Sequence, residues 1–386
     1  MDKMRRRTFI AFGLIAGIGG IFSVVYGKSG IKGVLRKIHR WTLPDFRVAE
    51  GGEDVSVEKV LNSRCNSDWD GDPYTFHWGM FDTTRNLPGE IVEKVIQLAR
   101  VPRFTDREIN ILEDSHTLSF VVPNEPDNEI MDLLMLESGM QQQAVGLVCA
   151  ALGVGMVFDN RGKDGVLLSD TEFETTKIRL GPMKPSYNGS FWEARSPGDP
   201  VPWLQGNLPD PERNGDVPFL SALPSVEMEK TGRRTATKKS LGQLLWAARG
   251  RTPHYYLSRP WGLTIPTWKG VQTLTTVYVV RKGKAYKYIN WEDESPTHFL
   301  SEIGNLSGAV FHENDTVPIS DAGMIVIGVN EDMKKSLWEA GYQLFNLLVQ
   351  ASALDISWKT IVPDARQKKY LAESGVFNPV IGFLPY

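Results

Sequence analysis

Arg249 and Arg251 flank a single glycine where an apolar stretch, Leu241 to Ala248, comes to its end. A guanidinium is a planar fork that keeps its charge and matches the oxygens of a dianion, so the pair is a candidate for holding a phosphate group. Two arginines at a helix C-terminus also favour the helix macrodipole, which gives them a purely structural alternative. His254 follows closely, ahead of Tyr255 and Tyr256, and is a candidate proton donor, though histidines beside tyrosines more often simply pack. His298 and His312 lack ligand spacing with any cysteine or carboxylate cluster, and no metal is assigned. Cys65 and Cys149 imply no disulfide framework, and Cys149 sits in an apolar helical run that reads as core. No nucleophile elbow, Walker loop or dinucleotide fingerprint follows a strand, so hydrolase, NTPase and Rossmann chemistry lack local support.

The elements that must position these residues fall into two series. In the first, apolar spacing predicts a helix over Leu87–Arg100 with Pro88 near its start, a strand over Leu118–Val122 and helix over Met131–Val157, broken near Ser138-Gly139. In the second, Ser240 reads as the N-cap of a helix over Leu241–Ala248. A hairpin then joins Val277–Val280 to Ala285–Tyr288, a strand covers Met324–Val329 and a helix covers Lys335–Leu354. Between the series, Gly181 to Arg234 carries nine prolines, which exclude a long helix or a central strand. Because it also contains Trp192, Trp203 and Phe219, it is expected to wrap the fold rather than hang free.

The two series share a repeat. Laid over each other without gaps, the two long helices match Gly139 with Gly341, Gln141 with Gln343, Ala151 with Ala353 and Leu152 with Leu354, each preceded by an apolar strand.

Residues Leu244-Leu245-Trp246-Ala247-Ala248-Arg249-Gly250, then Ile265-Pro266-Thr267 and Gly270, then Val277–Val280 and Ala285-Tyr286-Lys287-Tyr288, resemble the SagB-type (azoline oxidase-like) dehydrogenase branch of the nitroreductase-like flavoproteins. The closing Pro379-Val380-Ile381-Gly382 resembles the end of the same fold. The resemblance covers 240–386 well and, over 55–180, mainly the repeated strand and helix. It implies an α+β fold in which antiparallel sheet is packed by long helices, present twice as a single-chain pseudo-dimer. It implies FMN as cofactor and a small organic or peptide-like substrate. Arg249, Arg251 and the adjoining Thr252 would hold the phosphate. Pro266, Thr267, Trp268, Lys269 and Gly270 would approach the ring, with Gly153 and Gly155 reaching it from the first half. Trp268 and Lys269 depart from the small residues of the family, and Asp355 stands where the family and the repeat partner Gly153 have glycine. These departures motivate a second reading, a non-catalytic flavin-fold binding or assembly protein. The first half lacks the family's Arg-x-x-Arg phosphate pattern, which implies one complete flavin site per chain.

The expected organisation is therefore a signal or anchor over 1–40, a degenerate half over 55–180, the proline-rich connection over 181–234 and the half carrying most of the site over 235–386. Lys3, Arg5, Arg6 and Arg7 precede an uncharged apolar stretch from Thr8 to Tyr26, long enough to cross a bilayer, and Arg6-Arg7-Thr8-Phe9-Ile10 looks like a twin-arginine signal. The chain is expected to be held at the membrane or exported to the periplasm. Export would separate it from soluble nicotinamide donors, and the electron donor is not named. A net charge of −3 without a concentrated basic face gives no reason to expect nucleic acid.

Overall fold

The computed structural model describes residues 55–62, 87–158, 165–182, 204–213, 215–253, 261–267, 274–293, 295–306, 322–330 and 334–386. The expected anchor, His254, Trp268, Lys269 and Gly270 lie outside them. Among the described residues no helix is long and apolar enough to cross a membrane.

The first half opens with α1 (Val57–Asn62) and α2 (Gly89–Leu98). Pro88 caps α2, where its fixed φ suits helix entry and its missing N–H costs nothing. β1 (Asn110–Asp114) and β2 (Thr117–Pro123) form a hairpin across Ser115-His116. In α3 (Asn128–Leu152), Asp127 is the N-cap, its carboxylate accepting from the Glu129 and Ile130 amides. α3 then ends at Gly153, whose φ of 70° is the left-handed conformation that closes helices. β3 (Val154–Phe158), β4 (Val166–Ser169) and β5 (Glu172–Pro182) complete an antiparallel sheet of order β1-β2-β5-β3, with β4 also on β5.

The connection contributes α4 (Phe219–Ala222) and the short β6 (Glu229–Lys230), and Phe219 is fully buried against the fold; Trp192 and Trp203 lie outside the described residues. α5 (Lys238–Arg249) starts three residues earlier than expected with Ser240 as its N-cap. Thr237 is the N-cap, and Ser240 serves three residues on as the reciprocating member of a capping box. After a two-stranded ribbon, β7 (Arg251–Pro253) with β8 (Trp261–Leu263), come β9 (Thr275–Arg281), β10 (Lys284–Glu292) and β11 (Ser295–Asn305). The β9–β10 turn uses Lys282 and Gly283, both at positive φ, as a two-residue hairpin requires. β12 (Met324–Val329), α6 (Lys334–Leu354), β13 (Trp358–Ile361), α7 (Ala365–Glu373) and β14 (Pro379–Pro385) close the chain. The second sheet runs β11-β10-β9-β12-β14-β13-β6, with its pairings antiparallel.

The chain is thus a mixed α/β protein with two antiparallel sheets, and the two share an order. Setting aside β4 in the first half and the β7–β8 ribbon, β10, β11 and α7 in the second, helix, strand, strand, long helix, strand, strand occurs twice, and β1-β2-β5-β3 corresponds pairing for pairing to β9-β12-β14-β13. The two long helices cross at the repeated glycines. A Cβ on Gly139 would lie closer than 3.0 Å to the Trp338 backbone, and one on Gly341 equally close to that of Leu136. The shift that carries Gly139 onto Gly341 also carries Leu136 onto Trp338, so the contact is reciprocal. The same shift carries Glu137 onto Glu339, both fully buried carboxyls on these helices. Glu137 accepts the Phe104 and Thr105 amides and the Thr105 hydroxyl, while Glu339 accepts the Leu274 amide at 2.8 Å. In each half, the buried carboxyl clasps the backbone leading into the first strand.

Two expectations are corrected. α3 is continuous through Ser138-Gly139, because Gly139 admits the crossing helix instead of ending its own. α3 also stops at Leu152, and Val154–Phe158 is strand; a short apolar run directly after an apolar helix has no periodicity that separates the two.

Candidate functional site

The end of α5 is held from several sides. The fully buried Trp246 donates its indole N–H to the Arg251 carbonyl at 3.0 Å, folding β7 back against the helix it has just left. Thr264, beyond β8, donates its hydroxyl to the Trp246 carbonyl and its amide to the Gly250 carbonyl. Asn346 on α6 donates to the Ala247 and Thr264 carbonyls at 2.9 and 3.0 Å, and Gln143 of α3 in turn donates to Asn346 at 2.7 Å. The first half therefore reaches the helix terminus through one side-chain relay. Asn290 on β10 donates to the Arg249 carbonyl at 2.6 Å.

These contacts bring the two arginines together in the interior. Arg249 donates from Nη1 to the Thr275 carbonyl at 2.6 Å, and Thr275 is itself fixed by Gln343. Arg251 is buried, with its guanidinium 4.5 Å above the Trp291 ring. Among the described residues, neither Nε has a hydrogen-bond partner and no carboxylate forms an ion pair with either guanidinium. Burial pulls both pKa values down to about 10; the neighbouring Arg249 charge lowers that of Arg251 further, while Glu339 is the main influence supporting the charge on Arg249. Two buried like charges, each with an unspent Nε donor, are costly by themselves and suited to an anion. A phosphate fits on that ground.

Below the arginines lie groups that sequence reasoning passed over. Tyr288 and His298, both buried, share a hydrogen bond of 2.7 Å between the phenol oxygen and Nδ1. In the sequence His298 lacks ligand spacing for a metal, and no spacing rule finds a pairing created by the register of β10 on β11. Burial first, and then the charge of Arg213, push the His298 pKa down to about 3. Because the unfolded imidazole binds its proton near the ordinary 6.5, this residue stabilises the fold above that pH and loses the contribution as pH falls toward 3. Between pH 7 and pH 5 it should cost about 2 kcal/mol of stability. Glu58 and Glu137, whose pKa values burial raises, act in the opposite sense. The comparison is therefore urea denaturation of wild type and His298→Asn at both pH values, the variant losing less on acidification.

The remaining expected site residues are placed as follows. Thr252 and Thr267 are buried, Thr252 in β7 and Thr267 two residues beyond Ile265, with Pro266 between them. Gly155 pairs with Gly181 inside the first sheet, and Gly153 is the left-handed cap of α3; no described contact joins either to the arginines. Asp355, the counterpart of Gly153, has φ 54°, so it repeats the same left-handed cap with a residue type that tolerates it. Its carbonyl accepts the Arg233 and Arg234 amides.

No family model matches this chain, and no curated protein matches it. One similar solved structure is the crystal structure of a putative nitroreductase from Ralstonia eutropha JMP134, 20% identical, with 49% of this chain and 96% of that chain covered at a TM-score of 0.36.

Proposed function

We propose that the chain is a single-chain pseudo-dimer of nitroreductase-like halves that binds one FMN and acts as an FMN-dependent oxidoreductase on a small organic or peptide-like substrate. The observation that carries the reading is the pair of buried, adjacent guanidiniums with unpartnered Nε atoms, an anion site with its charge in place. Arg249 and Arg251 would hold the phosphate, with Trp291 keeping Arg251 flat and Asn290, Trp246 and Asn346 fixing the backbone beneath them. Thr252, Pro266 and Thr267 stand on the β7–β8 ribbon and its exit, beside this terminus. When bound, FMN supplies two-electron chemistry, passing a hydride between a reduced donor and an organic acceptor.

The repeated sheet order and the reciprocal glycine crossing support the pseudo-dimer, and the asymmetry between the halves supports a single site. In the second half, residues 250–274 separate the helix from β9 and leave space for the ribbon; in the first, only residues 99–109 separate α2 from β1. That short link runs directly under Glu137, and its Arg100 and Arg103 are exposed to solvent instead of buried as a pair. The left-handed cap at Asp355 gives that departure a structural explanation, which removes one motive for a non-catalytic reading.

The test is an absorption spectrum of the purified full-length chain after addition of FMN and removal of excess. One flavin per chain is expected, and reduction by a chemical donor followed by reoxidation with a quinone or nitroaromatic should show turnover. Two flavins per chain would refute the single-site arrangement. A protein that takes up none would refute the oxidoreductase reading and leave the fold as described.

A further inference from the structure

We infer that Gln143, on the long helix of the first half, is a positioning residue for the anion site of the second half. The inference rests on the proposed FMN site and extends it to a residue that touches neither arginine. The end of α5 lacks the left-handed glycine cap that closes α3: Gly250 is extended, with φ −76° and ψ 162°, so the last carbonyls of the helix need partners from elsewhere. They find them in side chains. Thr264 donates to the Trp246 carbonyl, Asn346 to that of Ala247 and Asn290 to that of Arg249. Asn346 also donates to the Thr264 carbonyl, and so ties the helix end to the exit of the β7–β8 ribbon. Nearly one turn earlier on α6, Gln343 donates to the Thr275 hydroxyl, and the carbonyl of Thr275 receives the Arg249 guanidinium. α6 therefore sets both the helix end from which Arg249 springs and the carbonyl that its charge meets.

The direction of the bonds fixes what Gln143 does. Both carbonyls can only accept, so Nδ2 of Asn346 faces them and Oδ1 is left to accept. Its donor is Nε2 of Gln143 at 2.7 Å, across the crossing of the two long helices. Turned over, the glutamine would set oxygen against oxygen, so its own Oε1 stays buried with no hydrogen-bond partner among the described residues. An unmade bond in the interior costs the fold, and the arrangement serves the far end of the relay. The glycine crossing is reciprocal, yet this relay is not. The shift that carries Gly139 onto Gly341 carries Gln143 onto Phe345 and Ala144 onto Asn346, both pairs buried, and neither Phe345 nor Ala144 can hydrogen-bond through its side chain. On that mirrored side the end of α2 is capped from within its own half, by Gln141 on the Ala99 carbonyl, and the Arg100 that follows is exposed. Among the described residues, a relay from one half into the helix end of the other is present only on the side that holds the arginine pair.

The test uses the full-length chain. Gln143→Met keeps the reach of the side chain and removes the donor. Without FMN, hydrogen exchange at the Thr264 amide, which is bonded to the Gly250 carbonyl, should rise about fivefold, and FMN affinity should fall by a similar factor, the size of one buried hydrogen bond. Asn346→Leu should weaken FMN further, and adding Gln143→Met to it should change little, because the glutamine acts through the asparagine. Tyr342→Phe is the control: it removes another buried bond between the same two helices, to Gln142, and should lower stability in urea while leaving Thr264 exchange and FMN affinity as in wild type. A Gln143→Met chain that matches wild type in both readouts overturns the inference, as does a Tyr342→Phe chain that loses as much affinity, or additive losses in the double variant. Should Asn346→Leu fail to fold, Gln143→Met against Tyr342→Phe decides. A wild type that takes up no FMN refutes the cofactor reading by itself; the exchange rates, read without FMN, separately uphold or overturn the hold of Gln143 on the end of α5.

Discussion

Replacing Arg249 and Arg251 together by methionine should weaken FMN binding by more than about a hundredfold while leaving the apoprotein at least as stable as wild type. The first half of that expectation follows from the donors. Each guanidinium directed at a phosphate contributes on the order of 1.5–3 kcal/mol, and a hundredfold corresponds to about 2.8 kcal/mol, so losing both exceeds it comfortably. The second half follows from burial. The pair sits in the interior with unpartnered Nε atoms and with each charge opposing the other, the situation in which apolar residues of similar volume are neutral or stabilising by about 1–4 kcal/mol. Against this stand the Arg249 bond to the Thr275 carbonyl and the stacking of Arg251 on Trp291, about 1 kcal/mol each. FMN titration and urea denaturation of the apoprotein measure the two halves. Unchanged affinity would sink the phosphate assignment; intact affinity combined with a large loss of stability would make the arginines structural caps.

Gly139→Ala and Gly341→Ala should each destabilise the protein by about 3 kcal/mol or more, although alanine in a helix interior is ordinarily favoured over glycine by about 1 kcal/mol. The sign is reversed by what the new methyl would meet. At both positions the obstacle is the backbone of the opposing helix, Trp338 for Gly139 and Leu136 for Gly341, and backbone cannot turn aside as a flexible side chain can. The helices would have to separate, and the separation would propagate to the buried bonds that join them, Gln143 to Asn346 and Tyr342 to Gln142. Because the two contacts are reciprocal, the double variant should cost less than the sum of the singles: once the crossing has opened for one methyl, the second finds room. Thermal denaturation of the three chains checks this. Additive costs would mean that the two contacts are independent and that the crossing does not move as a unit.

The first half of the chain was legible in part and the second half more fully. Local signals predicted α2, β2, the β9–β10 hairpin, β12 and α6 within a few residues, because these elements bury one face and their apolar spacing shows it. Boundaries failed where two elements of the same apolar character abut, as α3 and β3 do around Gly153, and where a cap belongs to a residue pair, as with Thr237 and Ser240. His254, Trp268, Lys269 and Gly270 lie outside the described residues, and the ring side of the expected cofactor site rests on the sequence resemblance alone.

The repeat of the two long helices at a constant shift, the exclusion of a long helix from the proline-rich stretch, and the candidacy of Arg249 and Arg251 were determined by the sequence alone, since each depends on residue types and their places along the chain. Only the tertiary structure decided that the repeated glycines touch, that buried Glu137 and Glu339 perform one clasp twice, and that the arginines lie inside the protein with no ion pair among the described residues. It alone set Tyr288 against His298. Those facts depend on strand register and helix crossing, which bring together groups far apart in the chain, and burial then gives each unpaired charge and each hydrogen-bond direction an energetic weight that it lacks in water.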